Sequence, residues 1–120
     1  MGYIMTKAFI GDPHQARVEE VEFLVDSGSF HPMIPPSLAG RLGIKPIVET
    51  EFILADKRRV RAPISLAYFK LLDRESVFPV VIVDMPTPLL GVTVFEGLGI
   101  KIDQVTGRLE YSRSFGLAAL

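Results

Sequence analysis

The chain has 120 residues, 48% of them hydrophobic, and its 13 Lys and Arg against 14 Asp and Glu leave a net charge of −1. That length and apolar share suit one hydrophobic core, and the balanced charge sets up no field favouring nucleic acid or an anionic membrane. With no cysteine, disulfides, thiolate metal sites and cysteine nucleophiles are excluded together; the two histidines lack zinc-ligand spacing, so no metal or other cofactor is expected and the chemistry falls to carboxylates.

Tyr3 to Ile10 reads as a strand, Gly11-Asp12-Pro13-His14 as a turn, and Ala16 to Val25 as a returning strand with Val18, Val21 and Phe23 as its buried alternation. Phe30 to Ile34 is again strand-like. Pro35-Pro36 opens a short helix in which Leu38 and Leu42 share a face, and Gly43 stops it. Pro46 to Leu54 and Val60 to Tyr68 are two strands around the charged tip Ala55-Asp56-Lys57-Arg58-Arg59, read as a solvated hairpin. Val77 to Val83 is an apolar, β-branched strand, followed by a proline-rich turn and Leu89-Leu90-Gly91. A second short helix follows, with Thr93 and Glu96 at capping-box spacing and Gly97 and Gly99 keeping it short. Ile100 to Ile102, a turn at Asp103 to Gly107, and Leu109 to Tyr111 complete a single domain over residues 1–120 with its core at about 6–111; residues 112–120 form a tail or an arm that packs elsewhere. Many short strands with two short helices favour an all-β barrel or sandwich. Met1 to Ile10 lacks the parts of a signal peptide, and no stretch approaches the roughly 18 apolar residues of a membrane span, so a cytoplasmic protein is expected.

Leu24-Val25-Asp26, a turn, a helix and Leu42-Gly43-Ile44-Lys45 are echoed by Ile82-Val83-Asp84, a turn, a helix and Leu98-Gly99-Ile100-Lys101. The echo implies an approximate internal twofold. The copies differ where it matters: the first continues Asp26-Ser27-Gly28-Ser29, whereas the second continues Asp84-Met85-Pro86, with proline's fixed φ where glycine is permissive. An aspartate directly after an apolar strand is costly to bury and must find donors or shift its pKa. Asp84 and Asp103 are read as strand-ending turn residues, and His31 has no triad around it to support a serine hydrolase.

On these residues the chain resembles the retropepsin-like (retroviral-type) aspartic proteases, in particular small prokaryotic members. The resemblance spans roughly Thr6 to Tyr111 and rests on Leu24-Val25-Asp26-Ser27-Gly28-Ser29, on Ile34-Pro35 opening the first helix, and on Leu89-Leu90-Gly91 before the second. The family's commoner triplet has threonine at the place of Ser27, which keeps the hydroxyl. The resemblance implies a homodimer with the active site on the twofold axis and a closed β-barrel or sandwich with two short helices and an internal pseudo-twofold. Asp26 would be the catalytic carboxylate, Ser27 the hydroxyl bracing the two active-site loops, and Gly28 the backbone donor that holds the carboxylates coplanar. The Leu54 to Val60 tip would be the flap closing over an extended peptide. Leu54, Ala55, Asp56 and Lys57, with Leu89, Leu90 and Gly91, would then contact substrate. The tip departs from the family in having no glycine.

The chemistry agrees with that implication. Peptide hydrolysis without metal or covalent intermediate needs one group to take a proton from water and another to protonate the leaving amide, and two close carboxylates sharing one proton supply both. One chain offers one Asp-Ser-Gly turn, so the second carboxylate must come from another copy. The expectation is an aspartic endopeptidase cutting extended apolar segments, with a weakly active or inactive peptide-binding and dimerisation module as the alternative. Neither nucleic acid nor membrane is an expected partner.

Overall fold

In the computed structural model, which describes residues 4–53 and 56–114, the chain begins as a hairpin. β1 (Met5–Gly11) and β2 (Val18–Val25) pair antiparallel from Met5 opposite Leu24 to Gly11 opposite Val18. Its turn is held by Asp12, whose carboxylate accepts the N–H groups of Arg17 (2.8 Å) and His14 (3.2 Å). The Arg17 bond, reinforced by His14, holds the Asp12 carboxyl below its ordinary value. Val18 does not join Val21 and Phe23 in the core as expected; it is exposed, because it stands an odd number of positions from them and the pleat turns it outward.

The strand expected over Phe30 to Ile34 is only β3 (Met33–Ile34), and α1 (Pro36–Leu42) follows at once. Proline at the first helical position has the right φ already, Leu38, Ala39 and Leu42 are buried, and Gly43 ends the helix at φ 72°, its N–H returning to Gly40 O. β4 (Val48–Ile53) and β5 (Arg59–Leu71) then form a long antiparallel hairpin. The strand expected from Val77 begins earlier, as β6 (Arg74–Ile82), and pairs with β5 across the two-residue turn Leu72-Asp73. No glycine marks that turn; Leu72 itself takes φ 56°.

β7 (Leu89–Leu90), α2 (Val92–Leu98) and a small sheet of β8 (Ile100–Ile102) with β9 (Leu109–Tyr111) complete the chain. The Thr93 and Glu96 capping box does not form. Gly91 is the N-cap and no side chain caps the helix, while the Thr93 hydroxyl is buried without a hydrogen-bond partner among the described residues. Gly97 lies inside the helix; a Cβ there would come within 2.3 Å of the Phe78 ring, so its role is close packing. The C-terminal carbonyls of α2 are satisfied by guanidinium groups: Arg74 donates to Leu98 O and Gly99 O, and Arg113 to Glu96 O and Gly97 O.

The main sheet runs β1-β2-β7-β3-β6-β5-β4 and closes on itself where Phe9, Ile10 and Gly11 of β1 pair with Lys70, Phe69 and Tyr68 of β5. This ring of strands with two short helices is the expected all-β architecture. Inside it Phe23, Phe69 and Phe78 form a row, with centroids 6.1 and 6.2 Å apart, packed among Ile10, Ile34, Leu42, Leu90 and Leu98.

The internal twofold is visible in the hydrogen bonds. β2 runs parallel to β7, β3 runs parallel to β6, and β3 and β7 meet between them. Leu24 N–H bonds Pro88 O and Asp26 N–H bonds Leu90 O; in the other half Val81 N–H bonds Pro32 O and Val83 N–H bonds Ile34 O. The counterpart of Asp26 is therefore Val83. The sequence echo, which set Asp26 against Asp84, is one residue out of step with the pairing.

The crossing is tight at Gly91, where a Cβ would lie 2.6 Å from the His31 carbonyl group and 2.8 Å from Phe30 O. Gly40, in α1, has nothing within 4 Å of its missing Cβ. Gly91→Ala is therefore expected to destabilise the fold by about 1–3 kcal/mol through overpacking against backbone, whereas Gly40→Ala should stabilise it by about 0.5–1 kcal/mol through helix propensity. Urea midpoints of the two variants check the pair, and shifts of the same sign would contradict it.

Candidate active site

β2 delivers Asp26 to the end of a strand whose partner, β7, is parallel and short. The Asp26 N–H is fixed by Leu90 O at 3.1 Å, its carbonyl accepts Ser29 N–H at 3.1 Å, and its Oδ1 accepts Gly28 N–H at 2.9 Å. The carboxylate is thus held by its own turn while the side chain stays half-buried, with Ser27 and Gly28 exposed beside it. A Cβ on Gly28 would stand 3.2 Å from Asp26 Oδ1, crowding the oxygen that the glycine N–H positions.

Ser29 anchors the far side of the turn. It is buried, its hydroxyl donates to His31 O at 2.8 Å, and its carbonyl accepts Val92 N–H at 2.8 Å. Thr93 N–H bonds Phe30 O at 3.0 Å, so the turn is tied to the start of α2 by consecutive backbone bonds. His31 follows, half-buried, with its Nδ1 lacking a hydrogen-bond partner among the described residues; burial holds this imidazole below its ordinary pKa.

Two depressions flank the end of β2, and Asp26 lines the second of them. One, of about 380 Å³, is walled by Met5, Leu24, Leu89, Met85, Pro86 and Thr87. The other, of about 250 Å³, runs from Val25, Asp26 and Ser27 to Val92, Phe95 and Ile100, with Glu96, Lys101 and Gln104 at its polar side. Met5 stands opposite Leu24, and Leu24 opposite Leu89, so the first wall is one row across three strands. Its Met5 and Met85 to Thr87 were not expected from sequence. A proline-rich turn reads only as a turn, and the signal that places it beside Asp26 is the parallel register of β2 with β7.

The β4–β5 hairpin is linked to this region through Phe52, whose ring stands edge-on to His31. Leu54 and Ala55 lie outside the described residues. Asp56 accepts Arg58 N–H at 3.0 Å and pairs with its guanidinium at 2.6 Å, and Lys57 takes φ 68°, the conformation that glycine would supply. Arg59 pairs with Glu51 at 2.8 Å and Arg61 with Glu49 at 3.7 Å, so the basic run is balanced along the hairpin arms. Of the other expected contact residues, Leu89 is half-buried in the first depression, Leu90 is fully buried and serves the core, and Gly91 allows the crossing beneath the turn. Asp84 is exposed, and Asp103 accepts the N–H groups of Val105 and Thr106 in its own turn. No cluster of three or more potential metal ligands occurs among the described residues, and no helix there is long and apolar enough to cross a membrane.

No curated protein sequence matches the chain. Among solved structures it is similar to EIAV protease complexed with the inhibitor HBY-793, with 18% identity over 85% of this chain and 93% of that one and a TM-score of 0.65. It is also similar to a retropepsin-like aspartic protease from Rickettsia conorii, with 19% identity over 86% of this chain and 78% of that one and a TM-score of 0.58. At these identities the likeness is one of fold. A sequence profile described as aspartyl protease matches residues 10–94, from the end of β1 through the Asp26 turn and the β4–β5 hairpin into α2. The chain therefore belongs to the aspartyl protease family, with a retropepsin-like fold.

Proposed function

We propose that this chain is an aspartic endopeptidase that acts as a homodimer, with the Asp26 carboxylates of two subunits sharing one proton. The observation that carries the reading is the Asp26 turn: its backbone N–H is fixed by Leu90 O, its half-buried carboxylate accepts Gly28 N–H, and it opens onto a depression with mainly apolar walls. Its internal counterpart is Val83, so one subunit offers one such carboxylate. The ionised member takes a proton from water as the water attacks the scissile carbonyl, and the protonated member delivers its proton to the leaving nitrogen. Ser27, exposed at the turn, is assigned the bracing contact between the two turns, and Gly28 keeps the carboxylate oriented through its N–H. The β4–β5 hairpin is assigned the flap, holding an extended peptide by backbone pairing, while the apolar walls select apolar side chains. The cytoplasm is the compartment assigned to it.

A second reading, a peptide-binding module of low activity, draws support from the flap tip. The Asp56–Arg58 pair and the positive φ of Lys57 stand where many relatives have glycine. Turnover separates the two readings.

Three outcomes are expected. Asp26→Asn should retain fold and assembly but reduce hydrolysis of a fluorogenic apolar peptide by at least roughly a thousandfold, because both halves of the dyad are lost together; Asp84→Asn should keep most of its activity. Near-normal turnover by Asp26→Asn would sink the proposal.

Specific activity should fall on dilution through the dimer dissociation constant. Sedimentation alongside the assay checks this, and an active monomer would contradict it.

The pH–rate profile should be bell-shaped with its maximum below pH 7, since a pair holding one proton fails when both members are ionised and when both are protonated. Folding adds a separate acid limb. His31, depressed by burial, is protonated in the unfolded chain from about pH 6.5 downward before it is in the folded one, and the support for folding that it gives above that pH is lost as pH falls. Asp12, depressed chiefly by the Arg17 N–H, supports folding above the ordinary carboxylate value of about 4 and ceases to as pH falls through its folded value. The rate assay, run beside circular dichroism at each pH, should therefore show activity lost towards pH 8 while the fold stays intact. A rate still rising at pH 8 would exclude the carboxylate pair.

A further inference from the structure

Two residues beyond Gly28, Phe30 leaves 66% of its surface in water. Its backbone is nevertheless firmly placed, with its carbonyl accepting Thr93 N–H and lying against Gly91. His31 stands edge-on to Phe30, 4.8 Å between centroids at 78°, and edge-on to Phe52 at 6.3 Å and 84°. Phe52 belongs to β4, the first arm of the hairpin, and with Met33, Val60 and Val83 it lines a small apolar depression under that arm. The three rings thus form a row from the Asp26 turn to the hairpin, and in the single chain the end nearest Asp26 is the uncovered one.

We propose that Phe30, His31 and Phe52 form a subsite selecting an aromatic side chain of the peptide, at one position flanking the scissile bond. The proposal rests on the endopeptidase reading and names the side chain that the cleft prefers. An extended peptide between turn and hairpin sends alternate side chains to opposite walls, so one of them is directed at this row. Offset or edge-to-face stacking on the open Phe30 ring adds to ordinary apolar burial. Because the Phe30 and His31 backbone is already pinned, little ordering remains to be done when a ring arrives. The His31 ring is half-buried, and its Nδ1 has no hydrogen-bond partner among the described residues. Apart from the His31 imidazole the rings of this row are apolar, which disfavours a charged substrate side chain.

The test is a set of fluorogenic peptides carrying Phe, Leu, Asp or Lys in turn at each of three positions on either side of the scissile bond. At one position Phe should exceed Leu in kcat/KM by roughly three- to tenfold, with Asp and Lys poorer still. Phe30→Leu should abolish that preference while leaving the preferences at other positions in place, and Phe30→Tyr should keep it. A flat response to Phe, or an unchanged preference in Phe30→Leu, would overturn the subsite. A binding arm is independent of turnover. The chain has no tryptophan, so emission from a Trp-bearing uncleaved peptide on Asp26→Asn protein reports the subsite directly. Affinity should fall severalfold when Phe30→Leu is added; equal affinity would overturn the proposal. Absence of hydrolysis by the wild-type protein would strike at the endopeptidase reading instead, leaving the binding arm to decide the subsite.

Discussion

The hydrogen bond from Asp26 N–H to Leu90 O is the contact on which the site depends. It exists because β2 and β7 run parallel for two residues, and that pairing exists because β3 and β6 do the same in the other half of the molecule. Neither pair could stand alone, since two-residue ladders have too few bonds to offset the entropy of ordering them. Interlocked, with Gly91 permitting the backbones to touch, they form a rigid crossing from which the Asp26 turn projects. A carboxylate mounted on such a crossing needs no large side-chain network to be oriented, and one glycine N–H completes the arrangement.

Much of this was legible in the sequence. Asp26-Ser27-Gly28 stood out because an aspartate ending an apolar strand demands an explanation, and the helices declared themselves through Pro36, Gly43 and Gly99. The features that escaped are those decided by distant neighbours. Leu72 turns the β5–β6 hairpin at positive φ because the long ladder on either side over-determines it. Thr93 has the spacing of a capping residue, yet Gly91 caps α2, because the Phe30 and Ser29 carbonyls already receive the N–H groups of Thr93 and Val92. The internal repeat was read one residue out of step, since Asp84 matches Asp26 in letter while Val83 matches it in hydrogen bonding. Letter identity and structural equivalence come apart when a turn changes length.

The β4–β5 hairpin resolves an apparent conflict in the sequence. Its cluster of Arg58, Arg59 and Arg61 looks like a cationic tip, yet Asp56, Glu51 and Glu49 face these residues one by one. Pairs this exposed contribute no more than about 1 kcal/mol each and weaken with salt. Their effect is chiefly to keep the arms in register and to cancel the tip's charge, so that the apolar inner side remains the hairpin's distinguishing surface. Lys57 carries the backbone strain, on the order of 1 kcal/mol, that a glycine would have avoided.

The order in which the chain leaves a ribosome gives the ring closure another meaning. β1 and β2 emerge as a hairpin with an open edge, and that edge waits for Phe69 and its neighbours before it can pair. Asp26 waits longer still, since Leu90 and the first turn of α2 come last among the groups that position its turn. A nascent chain that has emerged only as far as Ile82 holds the aspartate but not the carbonyl that orients it. Competence for the reaction proposed here is thus deferred, by topology alone, until nearly the whole barrel has been made.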